Sequence, residues 1–248
     1  MLLLTLATVV AGIESARSAE AVAAVAANFA EPAERLASLF TAETGHALTL
    51  SSGSTGTLYA QIVQGAPFDL LLAADAERPE LLETAGLAVK GSRLTYAFGR
   101  LTLWSPDPTR IGKDGRQVLR KAAFRHLAIA NPDLAPYGRA ARQALEHFGL
   151  WEALEPKLVM GQNIGQTFAM AATGNAELAL AAASHVTSAR NRSRGSHWQV
   201  PVSAHEPIRQ QAVLLQRGKD NAAATGFLAF LRTPQARETI TAYGYEVE

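Results

Sequence analysis

Between residues 46 and 63 the chain passes from an alternating apolar run, His46-Ala47-Leu48-Thr49-Leu50, to a helical pattern with Leu58, Ile62 and Val63 on one face. The handover is made by Ser51-Ser52-Gly53-Ser54-Thr55-Gly56-Thr57. A strand that feeds a helix through small hydroxyl and glycine residues restricts the fold to the α/β type. It also gathers unpaired backbone N–H groups at the positive end of a helix dipole, where an anion can sit. The hydroxyls of Ser54 and Thr55 add neutral donors. No Lys or Arg occurs between Arg35 and Arg78, so an anion held here is held by dipoles rather than by a salt bridge. The same residue types also suit a plain helix cap with a turn, and the local sequence leaves both readings open.

The alternation continues on either side. Residues 21–27 form an apolar run that reads as a strand buried on both faces. Pro32 opens a helix through Phe40, and Gly45 closes it. Gly65-Ala66-Pro67 ends the helix that begins near 57; residues 68–73 read as a strand and 77–85 as a helix closed by Gly86. This β-α-β-α-β-α order is the rhythm of a parallel sheet with helices on both faces. The character changes near Gly99. Strands are expected at 100–105, 127–130, 157–160, 178–183 and 211–215, and helices near 115–123, at 137–148, at about 220–231 and from Pro234. The polar, basic stretch 188–195 reads as a surface loop, with contact to acidic lipid headgroups as a second reading. Two α/β lobes joined by strands is the simplest architecture, and a ligand would then lie in the crevice between them.

The chain's 248 residues suffice for one large α/β domain or two ordinary lobes, and a net charge of +1 with no long basic run gives no footprint for nucleic acid. The sequence contains no cysteine, which excludes disulfides, thiolate metal sites and cysteine nucleophiles. Residues 2–12 are apolar but too short to span a bilayer, and small residues at 16–21 offer cleavage sites, so 1–21 reads as an export signal although no Lys or Arg precedes Arg17. The six histidines show no metal-ligand spacing. Asp69 and Asp75 flank one strand and could pair as acid and base, or serve as caps and turn contacts. No G-x-S-x-G, Walker A or G-x-G-x-x-G motif is present.

With these elements in place, the chain resembles the periplasmic molybdate-binding proteins of bacterial ABC importers. The resemblance rests on Val25-Ala26-Ala27-Asn28-Phe29, on Ser52 through Ile62, on Gly65-Ala66-Pro67-Phe68-Asp69, Ala73-Ala74-Asp75, Asn131-Pro132, Ala135-Pro136-Tyr137-Gly138 and the closing Ala242-Tyr243-Gly244-Tyr245. It implies a type II periplasmic-binding fold: lobe one from 22–99 plus 207–248, lobe two from 100–206, with a hinge between. It implies that Asn28, Ser54, Thr55, Tyr137 and the backbone N–H of Ile164 hold a tetrahedral oxyanion, molybdate or tungstate. It further implies no catalysis, no cofactor and no metal held directly, a periplasmic location, a monomer, and an ABC permease as partner. Two positions depart from some members: Ala27 stands where a hydroxyl residue can occur, and Ala182 lies where a tyrosine can.

Such a site has a physical rationale. A buried anion needs every oxygen satisfied. Molybdate and tungstate carry two charges and no proton at neutral pH, so a cage made only of donors accepts them. A protonated phosphate would set its own donor against another donor. Sulfate has the donor needs of molybdate and differs only in size. A ligand-sensing regulatory domain on the same fold is an alternative class, as is an enzyme using the 51–56 turn as a cradle; no helix-turn-helix precedes residue 22, and no nucleophile–base pair is apparent.

Overall fold

The computed structural model describes residues 18–188, 191 and 194–247. The export-signal reading therefore falls mainly outside the described residues, as does part of the basic 188–195 stretch. The strands are β1 (Glu20–Ala26), β2 (Ala47–Gly53), β3 (Leu70–Leu72), β4 (Leu94–Gly99), β5 (Leu101–Ser105), β6 (Leu127–Ala130), β7 (Leu158–Gly161), β8 (Leu178–Ala182), β9 (Ser196–Gln199) and β10 (Ile208–Leu214). The helices are α1 (Ala30–Thr44), α2 (Thr55–Val63), α3 (Glu77–Thr84), α4 (Arg116–Lys121), α5 (Pro136–His147), α6 (Trp151–Leu154), α7 (Ile164–Ala172), α8 (Ala183–Thr187), α9 (Ala222–Phe230) and α10 (Pro234–Ala242).

These strands form two sheets, ordered β2-β1-β3-β10-β4 and β7-β6-β8-β5-β9. In the first, β1 pairs in parallel with β2 and β3, and β10 runs antiparallel to both β3 and β4. In the second, β6 is parallel to β7 and β8, while β5 is antiparallel to β8 and β9. The parallel rhythm read from the first ninety residues thus describes only part of each sheet. The chain crosses between sheets at Arg100, between β4 and β5, and returns through residues 200–207 into β10. A strand that arrives from the other lobe enters antiparallel, so both sheets are mixed. Strands β4 and β9 and helix α7 are absent from the sequence reading, and β2 extends three residues beyond Leu50, to Gly53.

Each sheet has its own core. Phe29, Leu36, Phe40, Leu72 and Phe227 fill the first, with the Phe40 and Phe227 rings edge to face at 5.5 Å. Leu101, Leu103, Ile129, Leu145 and Leu178 fill the second. Helix ends follow local chemistry. Gly45 closes α1 at φ 73°, a left-handed conformation that costs glycine little. Pro136 and Pro234 start α5 and α10, and Thr233 Oγ1 accepts the Ala236 N–H of α10 at 3.2 Å. No helix among the described residues is long and apolar enough to cross a membrane.

Candidate functional site

The carboxyl ends of β1 and β2, the residues just past β3, and the amino ends of α2, α5 and α7 converge between the sheets on a small cavity. Asn28, Ser54, Thr55, Tyr137 and Ile164 all line it, together with Ala27, Ala74, Ala135, Pro136 and Asn163. No charged side chain is among its lining residues. The structure therefore brings together the five residues of the expected oxyanion set, and Asn28, Ser54, Thr55, Tyr137 and Ile164 are all buried.

Ser54 is the N-cap of α2: its Oγ accepts the Thr57 N–H at 3.2 Å and lies 2.7 Å from Thr57 Oγ1. The cap and the cavity-lining reading are both true of this residue. Thr55 Oγ1 accepts the Ala74 N–H at 3.0 Å, which leaves its own proton to donate. The Gly56 N–H, one residue on, donates across the lobes to Leu134 O at 2.8 Å, and a Cβ on Gly56 would stand 2.8 Å from that same oxygen. Only glycine permits this approach. At α7 the Asn163 side chain accepts the Gln166 N–H at 2.9 Å, so the first helical residue, Ile164, presents a backbone N–H with no intrahelical partner.

Asn28 does not cap α1. Its Nδ2 donates to Gln210 Oε1 at 2.8 Å and to the Tyr245 hydroxyl at 2.9 Å, and its carbonyl accepts from Tyr245 at 2.7 Å and from Ser184 Oγ at 2.9 Å. The Tyr137 hydroxyl accepts from Gln210 Nε2 at 3.3 Å. Burial, with the neighbouring Tyr245 and Tyr96 adding to it, pushes the Tyr137 phenol well above the ordinary tyrosine value, so it is a neutral donor at any physiological pH. A Cβ on Gly99 would overlap this hydroxyl; the glycine at the end of β4 makes room for it. Sequence reading missed Gln210, Tyr96 and Ser184, and it used Tyr245 only as part of a matching stretch.

Behind Ala27 lies His185, whose Nε2 is 3.4 Å from Ala27 O. Burial lowers its pKa to about 4, so it is neutral near pH 7. Ala182 sits fully buried at the start of α8 and offers no donor side chain. Asp69 and Asp75 are not a catalytic pair. Asp69 accepts the Val22 N–H and pairs with Arg217, both at 2.8 Å. Asp75 accepts the Arg78 N–H at 3.1 Å and pairs with its guanidinium at 2.6 Å. Burial raises the Asp75 pKa against the lowering pull of Arg78. Among the described residues no cluster of His, Asp or Glu could hold a metal ion.

Two α/β lobes on a double chain crossing, with a small uncharged cavity between them, define a binding protein of the two-lobed type. The chain belongs to the bacterial extracellular solute-binding protein family, which it matches over residues 21–246. It is 48% identical over 221 residues to the molybdate-binding protein ModA of Rhodobacter capsulatus, covering 89% of this chain and 86% of that protein. It is 50% identical over 221 residues to the molybdate-binding protein ModA of Azotobacter vinelandii, covering 89% of this chain and 87% of that protein. The solved Azotobacter vinelandii periplasmic molybdate-binding protein superposes with a TM-score of 0.89 at 40% identity, over 92% of this chain and 99% of that one.

Proposed function

We propose that this chain binds molybdate or tungstate outside the cytoplasm and passes the anion to the permease of an ABC importer. The observation that carries the reading is the lining of the small cavity. It carries no charge and includes neutral groups with protons to give: Thr55 Oγ1, the Tyr137 hydroxyl and the free N–H at the start of α7. Asn28 has both amide protons committed elsewhere, so its contribution is the main-chain N–H at the start of the 27–29 turn. Donors alone suit an oxyanion with no proton of its own. The relatives named above support molybdate as that anion.

In this reading lobe one is 22–99 plus 207–248, lobe two is 100–206, and 1–21 is a removable leader. The protein works in the periplasm as a monomer and carries its metal only as an oxyanion. Closure over the anion is secured by the Gly56–Leu134 backbone bond and the Ser184–Asn28 bond. A ligand that binds only the folded, closed form stabilises it by mass action, about 2.7 kcal/mol at a hundredfold excess over Kd. Thermal unfolding with millimolar molybdate, tungstate, sulfate and phosphate tests this. A clear rise in Tm with molybdate or tungstate is expected, and an unshifted transition with both overturns the reading.

A further inference from the structure

One carbonyl sets the direction of the hydrogen bonds that run from Tyr245 through Asn28 and Gln210 to Tyr137. The carbonyl of Asn28 can only accept, so Tyr245, 2.7 Å away, must spend its single hydroxyl proton there. The Tyr245 oxygen is then an acceptor, and the Asn28 side-chain atom 2.9 Å from it must be the amide nitrogen. The same nitrogen gives its second proton to Gln210 at 2.8 Å, which makes the facing Gln210 atom the amide oxygen. Gln210 therefore turns its NH₂ to Tyr137, at 3.3 Å. The Tyr137 oxygen accepts, and its own proton has to point elsewhere. Tyr137 lines the cavity, so that proton is delivered there. Gln210 is wholly buried. It is held at a β-bulge where its pairing jumps from Ala97 to Thr95 and the extra residue, Tyr96, brings its hydroxyl to 3.1 Å from Gln210 Oε1.

We infer that Gln210 is a positioning residue that, through Asn28 and Tyr245, locks the Tyr137 hydroxyl as a donor and thereby makes the cavity reject oxyanions that still carry a proton. The inference rests on the oxyanion reading above and specifies how that site selects. Without the lock, a tyrosine hydroxyl could rotate and accept the proton of hydrogenphosphate. With it, such a proton meets another donor, and an unpaired buried polar group of this kind discriminates strongly.

The test uses dissociation constants for molybdate, sulfate and phosphate at about pH 8, where all three are essentially dianions and only phosphate retains a proton. The proteins are wild type, Gln210→Glu, Tyr137→Phe, the double variant and Tyr245→Phe. Gln210→Glu keeps the acceptor for Asn28 and Tyr96 but offers Tyr137 an acceptor in place of a donor. Its negative charge weakens all three anions, so ratios isolate the proton effect. The phosphate-to-molybdate ratio of Kd should fall about tenfold or more in Gln210→Glu, with the sulfate-to-molybdate ratio unchanged. In the Tyr137→Phe background the same substitution should leave the phosphate ratio within about twofold, because the group it acts through is gone. Tyr245→Phe, which lines no part of the cavity, should relax the phosphate ratio in the same direction and serves if Gln210→Glu does not fold. Unchanged phosphate ratios in both Gln210→Glu and Tyr245→Phe, or an equal shift with and without the Tyr137 hydroxyl, overturn the positioning role while leaving the oxyanion reading intact. Failure of wild type to bind either molybdate or sulfate overturns both.

Discussion

Two cavities meet at Ala74 and Pro136, and they are built on opposite electrostatic terms. The small one, between the helix ends, has no charged lining residue. The larger cleft beside it, about 320 Å³, is lined by Asp75, Glu77, Arg139, Glu206 and Arg209 among others. The difference teaches where a protein can place ions. In the open cleft, Glu77 and Arg139 keep roughly half of their side-chain surface in water, so desolvation is slight and the net gain from pairing is small. In the closed cavity a fixed cation would cost several kcal/mol to bury and would hold any anion, protonated or not. Dipoles cost less to bury, and their direction can encode selectivity.

The largest effect should come from importing the rule of one cavity into the other. Thr55→Asp places a carboxylate against the bound dianion and should reduce molybdate affinity by about a hundred- to several-thousandfold, because an uncompensated buried charge costs about 3–5 kcal/mol. Titration calorimetry, with a melting curve to show that the fold persists, checks it. Next come the single donor deletions. Thr55→Ala and Tyr137→Phe should each cost about ten- to a hundredfold in Kd, the worth of one hydrogen bond to a charged group. If both bind like wild type, the anion does not sit between α2 and α5.

A smaller effect is expected on stability at acid pH. His185, half-buried behind Ala27, has its pKa lowered by burial to about 4. The unfolded chain takes up this proton first as pH falls, so the stability contribution is complete above about pH 6.5 and is lost on acidification toward 4. Burial also lowers His205 and adds in the same direction. Residual solvent contact limits the His185 share to about 1–2 kcal/mol. Denaturant titrations at pH 7.5 and 5 should show this gap shrink in His185→Gln; an unchanged gap assigns the acid sensitivity elsewhere. The smallest effects belong to the charged cleft. Asp75→Asn and Arg139→Gln should leave molybdate affinity within about twofold, since neither side chain lines the small cavity and the exposed Arg139–Glu77 pair contributes about 0–1 kcal/mol. A large loss in either would erase the contrast between the two cavities.

The site was legible in the sequence to different depths. Ser54 and Thr55 stand out because their chemistry is local: a strand, a glycine and hydroxyls, then a helix. Tyr137 and Ile164 could be placed only by resemblance, since an aromatic after proline and an isoleucine after asparagine are ordinary helix starts. Gln210 and Tyr245 were out of reach, because their partners lie 182 and 217 residues away in Asn28. Strand β4 was missed because it ends in Gly99, a residue kept small for the Tyr137 hydroxyl rather than for the sheet. Strand β9, Ser-His-Trp-Gln, is too polar to read as a strand and exists because β5 needs an edge partner.

The double crossing between sheets also decides how this molecule could be turned into an instrument. Ala19 and Val247, near the two ends of the described chain, both pack on the core of the first sheet. Fluorophores fused at the two ends would therefore ride on one body and keep a constant separation if the lobes move about the proposed hinge. A reporter inserted at the exposed turn around Gly174, which joins α7 to β8 in the second lobe, would move with the other body. Paired with one at either end, it would convert closure into a change of distance, giving an optical gauge for the captured anion.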